Sequence, residues 1–212
     1  MRKILTVTIP ALLLFAAPAW AQYDQVAVVG LGLGAHTYST IDEVREGSAA
    51  FDNDDELASG GMSQLYGEWY FLGPMGVGLR GISISSSRSY IYNTTTIDHT
   101  VTVSATLVTA HWVPLRFADD YARIGLLAGA GGAGYESKVT VSDSTSPNVT
   151  LEGTESTSGT AGLVGAYIDW GGEAFGARFG GGSLSTQLDD LNGAEVDGSG
   201  THFYLDLRWA FQ

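Results

Sequence analysis

Through most of its length the chain alternates apolar and polar positions with a period of two. Between 202 and 211, Phe203, Leu205, Leu207, Trp209 and Phe211 fall on one parity and His202, Tyr204, Asp206, Arg208 and Ala210 on the other. Ala27, Val29, Leu31, Leu33 and Ala35 alternate with Gly30, Gly32, Gly34 and His36 in the same way. Ala122, Ile124, Leu126 and Ala128 oppose Arg123, Gly125 and Gly129, while Val164, Ala166, Ile168 and Trp170, then Phe175, Ala177 and Phe179, oppose Tyr167, Asp169 and Arg178. Period-two alternation is the mark of a strand with two unlike faces, and no 3.6-residue stripe competes with it. Eight segments are predicted, at 25–38, 61–72, 76–91, 98–113, 121–136, 157–170, 175–187 and 200–212. Each is long enough to cross a bilayer at a tilt, which takes about 9–11 residues.

The two faces predict which side is outside. In a soluble barrel the apolar face points in. Here the polar face carries glycines with charges of both signs, which suits a crowded lumen. Trp69, Trp112, Trp170 and Trp209 all lie on or beside the apolar face, each at the same end of its segment. That is the pattern of an interfacial aromatic girdle. The expected fold is therefore all-β: an eight-stranded antiparallel up-and-down transmembrane β-barrel, with the even strand number that single-chain bacterial barrels have.

The connections sharpen the orientation. Gly73-Pro74-Met75, 114–120 and 171–174 are short, whereas 39–60, 92–97 with its flanks, 137–156 and 188–199 are long and polar. Short turns belong in the periplasm and long loops outside, so both termini and the tryptophans are expected on the periplasmic side. Ile82 and Ile84 break the pattern, because they share the parity of Arg80. They call for a bulge or for a strand that extends above the membrane.

One motif invites a different reading. "VAVVGLGLGAH", residues 26–36, has the G-x-G-x-x-A spacing of a dinucleotide fingerprint. That fingerprint needs a helix next, whose N-terminus holds the pyrophosphate. Instead the chain runs on through His36-Thr37-Tyr38-Ser39-Thr40, which is β-prone. The glycine ladder is one face of a strand. Upstream, Arg2 and Lys3, an apolar stretch from Ile4 to about Phe15, and the small-residue end Ala19-Trp20-Ala21 read as a secretory signal peptide, 1–21. The mature barrel domain is expected to span 22–212.

Composition narrows the function further. The 29 glycines among 212 residues come with 5 prolines and no triplet period, so neither collagen nor disorder is indicated. Cysteine is absent, which excludes a disulfide scaffold or a thiolate metal site. The formal charge is −13, and loss of Arg2 and Lys3 with the leader leaves 8 basic residues (10 less 2) against 23 acidic ones, a net of −15. Such acidity argues against nucleic acid as a partner.

On the alternation and on the terminal string "HFYLDLRWAFQ", the chain resembles the small eight-stranded outer-membrane barrels, similar to the transmembrane domain of outer-membrane protein A and to OmpX-like and opacity proteins. The resemblance covers the whole mature chain and rests on pattern. It implies a final strand that serves as the insertion signal for the barrel-assembly machinery. Here that strand ends Phe211-Gln212, one residue past the expected aromatic terminus. It also implies a porin-like or surface protein of a Gram-negative outer membrane, in contact with its lipid and lipopolysaccharide.

The lumen carries the candidate chemistry. With Pro74 at the centre of the first short turn, Glu68 is expected directly opposite Arg80, both inward. Arg123, Asp169, Arg178, Asp206 and Arg208 are inward by parity. Eight strands enclose just enough room for side chains to fill, and desolvated charges there must pair. The expected result is a salt-bridged, largely closed lumen in a monomeric, non-enzymatic protein that needs no cofactor, with a structural or surface role through its acidic loops. A narrow gated path for small solutes is the alternative. Inward His36 and His202 are expected to meet near the outer rim, where a rim serine such as Ser39 would be the nucleophile of a membrane hydrolase; no triad or lipid-hydrolase motif accompanies them. "DNDDE" within the acidic segment 42–56 could hold Ca²⁺ or Mg²⁺ through its oxygens, but lacks EF-hand spacing and reads better as solvated loop charge. Asn93 and Asn148 begin glycosylation sequons of a kind that occurs often by chance.

Overall fold

The computed structural model describes residues 26–39, 59–92, 95–117, 121–143, 150–172, 174–191 and 196–211. The leader, the acidic segment 42–56 and both sequon asparagines lie outside them. The described residues form eight strands: β1 (Val26–Tyr38), β2 (Ser59–Leu72), β3 (Met75–Tyr92), β4 (Thr95–Phe117), β5 (Ala122–Asp143), β6 (Thr150–Gly171), β7 (Phe175–Leu188) and β8 (Gly200–Phe211). They pair in chain order as one closed barrel, and β1 closes on β8 from Ala27↔Phe211 to Tyr38↔Gly200. All neighbouring strands are antiparallel.

Alternation decides the faces as expected. Leu31, Leu33, Leu65, Leu79, Val108, Leu126, Val164, Phe179, Phe203, Leu205 and Leu207 point outward and are exposed, forming an apolar belt. Glu68, Arg80, Asp169, Arg178, Asp206 and Arg208 point inward and are buried. At the foot of the belt Trp69 and Trp170 are exposed and Trp112 and Trp209 half-buried, with Phe71 5.3 Å from Trp69 and Phe175 5.6 Å from Trp209 between ring centroids.

Strand lengths differ from the sequence reading. β4, β5 and β6 run 23, 22 and 22 residues, and β3 and β4 stay paired to Tyr92↔Thr95. Residues 137–143 and 150–156, read as loop because they are polar, are strand. Ser, Thr and Val are at home on a pleated surface whatever their polarity. β4 likewise continues to Phe117 across an irregularity between Trp112 and Leu115, through what was expected to be turn. Ile82 and Ile84 need no bulge: the β3–β4 register is unbroken from Met75 to Tyr92, and both side chains are buried inside the barrel.

β3–β6 therefore rise above β7, β8, β1 and β2 at the long-loop end. The β2–β3 ladder starts at Gly61↔Ser85 and the β6–β7 ladder at Gly159↔Leu188. Among the described residues, Ser87–Tyr92 and Thr150–Ser156 have a strand partner on one side only. At the other end, Gly73, with φ of 63°, supplies the left-handed residue of the β2–β3 turn.

Candidate functional site: a two-layered lumen

The barrel interior is filled in two layers of opposite character. Toward the short turns lies a charged layer. Glu68, from β2, sits at its centre: Oε1 accepts from Arg178 Nη1 at 2.5 Å and Oε2 from Arg178 Nη2 at 2.9 Å. Arg178 also donates Nε to Asp169 Oδ1 at 2.6 Å and Nη2 to Oδ2 at 3.1 Å. One guanidinium thus forks onto two carboxylates, the geometry that charge-assisted pairs favour. Arg80 adds a 3.3 Å contact to Glu68 Oε1, Tyr70 donates to Oε2 at 2.9 Å, and His111 Nε2 lies 3.6 Å from Oε1.

Aromatic rings insulate these charges. The Arg178 guanidinium carbon lies 3.9 Å from the Tyr167 ring centroid and 4.8 Å from that of Tyr66, while Arg80 lies 4.7 Å from Tyr66 and 5.5 Å from Tyr204. Glycines make the room. A Cβ on Gly30 would overlap the Tyr66 ring, and one on Gly125 the Tyr167 ring. Gly30, the first glycine of the ladder that imitates a nucleotide motif, is thus part of the floor on which an aromatic layer lies.

Two details depart from the sequence expectation. Glu68 pairs in register with Gly78, and Arg80 with Tyr66. The ladder is centred a residue earlier than Pro74, because an irregularity between Tyr70 and Leu72 absorbs the offset. Arg80 reaches Glu68 as a diagonal neighbour instead. Asp206 makes its short bond with Gln64, whose Nε2 donates at 2.7 Å while its Oε1 accepts from Arg80 at 2.9 Å. Gln64 is an inward residue that the charge pattern does not single out. An uncharged amide carries no sign to pair, so parity is its only signal.

The second layer, toward the long loops, is mainly apolar, with buried His36, His202 and Thr186 at its margin. Met62, Ile82, Ile84, Val101, Val103, Leu107, Leu163 and Leu184 are all buried there. The described ends of the β7–β8 connection complete it: Leu191 and Val196 join the cluster, and Gly198 lies so close to the β4 residue Val103 that a Cβ would come within 2.8 Å of it. The Thr186 hydroxyl donates to Asp197 Oδ1 at 2.9 Å and accepts from the Gly198 amide at 2.8 Å, tying the connection down.

His36 and His202 face each other across the closing strand pair, their ring centroids 6.4 Å apart. The Ser39 hydroxyl donates to the Ser199 carbonyl at 3.1 Å. Its single proton is thereby committed to the backbone. Among the described residues no group of three or more His, Cys, Asp or Glu side chains is placed to hold a metal ion.

A closed ring of eight antiparallel strands with an apolar belt, an aromatic foot and charges turned inward is the architecture of the small outer-membrane β-barrels, and known structures share this fold. No family model matches the sequence, and no curated protein matches it either. Two crystal structures of Ail, the attachment invasion locus protein of Yersinia pestis, align over 89% of this chain and 100% of theirs with a TM-score of 0.53, at 14% and 12% identity; the first holds the heparin analogue sucrose octasulfate. Neisserial surface protein A aligns over 88% of this chain and 96% of its own, with a TM-score of 0.45 and 8% identity. Ail is an outer-membrane protein, and the fold this chain shares with it is that of an outer-membrane barrel.

Proposed function

We propose that this protein is a closed, monomeric outer-membrane scaffold that acts through its outer surface. Its short turns and termini lie in the periplasm, its long connections outside, and its belt is bathed in outer-membrane lipid and lipopolysaccharide after insertion by the barrel-assembly machinery. The observation that carries this reading is the double filling of the lumen: a charged layer held on Glu68 and Arg178, beneath an apolar layer finished by Leu191 and Val196. An ion meeting Ile84, Val101, Val103 and Leu107 would lose hydration against side chains that return no hydrogen bond. The raised wall of β3–β6 supports a role at the surface, because strand edges that have no second partner among the described residues, and their outward side chains, are what a partner would meet. Glu136, Glu152, Glu155, Asp189 and Asp190 stand on or beside this wall, with Arg88 and Lys138 as its basic residues. An acidic surface of this kind favours cationic partners and disfavours polyanions of the sort bound in the Ail complex.

Single-channel recording of the refolded protein in a planar bilayer tests the closed lumen. Wild type is expected to be silent, and so is Glu68→Ala, because the apolar layer stands in series with the charged one. Discrete conductance steps in the wild type would replace the scaffold reading with that of a narrow channel.

A further inference from the structure

The outer wall of the barrel is not level. On β6 the outward residues climb from Trp170 through Ile168, Ala166 and Val164 to Gly162 and Thr160. Val164, 60% exposed, ends the apolar belt on this strand, and Gly162 is the next outward position above it. Gly162 pairs in register with Ala130 of β5 on one side and Ser185 of β7 on the other, and a Cβ added to it would meet no atom within 4 Å. The result is a recess of about 380 Å³, with Gly162 and Ala130 at its floor and Thr160, Ser185 and Gln187 around its rim. That volume lies within the range of small-molecule sites, about 300–1,000 Å³.

A second outward glycine supplies a contrast. Gly67 of β2 also meets nothing within 4 Å, in a groove of about 600 Å³ between Val29, Trp69, Leu79 and Val108. The outward side chains there are apolar, so a lipid tail fills it whatever head it carries. The recess over Gly162 adds a polar rim to an apolar floor. Its hydroxyls and amide both donate and accept, which suits a sugar ring, with its C–H face and its girdle of hydroxyls. No residue lining it is charged, and exposed Asp189 and Asp190 follow directly after the rim, so a phosphate is repelled rather than held.

We infer that this recess is a docking site for an uncharged glycolipid, whose first sugar sits over Gly162 and whose acyl chains run down the belt past Val164 and Ile168. The recess continues the belt without a break, so one molecule covers both, and a longer sugar chain would meet exposed Ser158, Ser156 and Thr154 above it. The inference rests on the membrane-embedded reading proposed above.

The test uses the full mature chain, its folding verified by heat-dependent gel migration, in phosphatidylcholine nanodiscs that carry equal amounts of monogalactosyldiacylglycerol and phosphatidylglycerol. Native mass spectrometry then reads which lipids stay bound. Wild type is expected to retain the galactolipid about tenfold over phosphatidylglycerol, a difference of about 1.4 kcal/mol. Gly162→Leu, which fills the floor, should bring the ratio to that of the surrounding bilayer, and Gln187→Ala, which trims the rim, should lower it. Gly67→Leu, the same side chain set in the apolar groove, should leave it unchanged. Should Gly162→Leu fail to fold, Gln187→Ala still decides. Wild type without a preference, folded recess variants that keep the full preference, or a Gly67→Leu variant that loses it overturns the inference. A chain that folds in detergent yet does not insert into the nanodiscs overturns the membrane-embedded reading, and the glycolipid site with it.

Discussion

Arg178 of β7 and Glu68 of β2 meet inside the barrel as a two-pronged ion pair, at 2.5 and 2.9 Å. Both side chains are fully enclosed. Removing one partner strands the other's charge away from water, which costs about 3–5 kcal/mol. Arg178→Leu is expected to lose that much stability in urea-dependent unfolding from lipid vesicles. Adding Glu68→Gln should restore part of it, since the stranded charge goes too; strictly additive losses would show that the pair is not coupled.

Gly30 tests the aromatic layer. Gly30→Val sets methyl groups where the Tyr66 ring lies, and overpacking of that kind costs about 1–3 kcal/mol. In a Tyr66→Ala background the same change should cost little. An unchanged penalty would place the strain in the backbone of β1 instead.

Neighbouring residues of β4 distinguish the inside from the outside of the apolar half. Leu107 is fully buried in the upper layer, and Leu107→Ala should cost about 2–5 kcal/mol. Val108, the next residue, faces outward and is 63% exposed. There lipid tails replace the lost contacts, so Val108→Ala should stay below about 1 kcal/mol. Equal losses would contradict the inward core.

The height of the belt can be measured with arginine. Leu31 lies at mid-belt, and Leu31→Arg is expected to lower folding stability in a bilayer by about 2–4 kcal/mol. Ser85 is outward on β3, well above Leu79, and Ser85→Arg should cost about 0–1 kcal/mol there. Similar penalties at both positions would move the membrane boundary up to the raised wall.

The number of strands, their faces and the inward parity of the charged residues were all legible in the sequence, because period two survives wherever one face meets lipid and the other does not. Legibility fell where that contrast vanished. Above Leu79 the outward residues Ser83, Ser85, Thr102 and Ser104 are polar while Ile82, Ile84, Val101 and Val103 point in, so the alternation inverts and strand reads as loop. The apolar layer was hidden for the same reason, and Leu191 and Val196 stand in a polar connection that betrays no burial. Within the charged layer, parity identified the residues but could not pair them. The displacement of Arg80 from Glu68 arises from an irregularity at Tyr70–Leu72, and the role of Gln64 from a distance that only the closed barrel defines.

That β1 closes on β8 also sets the timing of assembly. The charged layer draws Glu68 from β2, Asp169 from β6, Arg178 from β7 and Asp206 from β8, so it cannot be completed before the last strand arrives. Until then these groups remain hydrated, and their attraction is weakened by water. Contacts that join the two ends of a chain are the slowest to form. The ion pairs are therefore a late reward for finishing the ring, and they latch a barrel whose shape the strand ladders have already set.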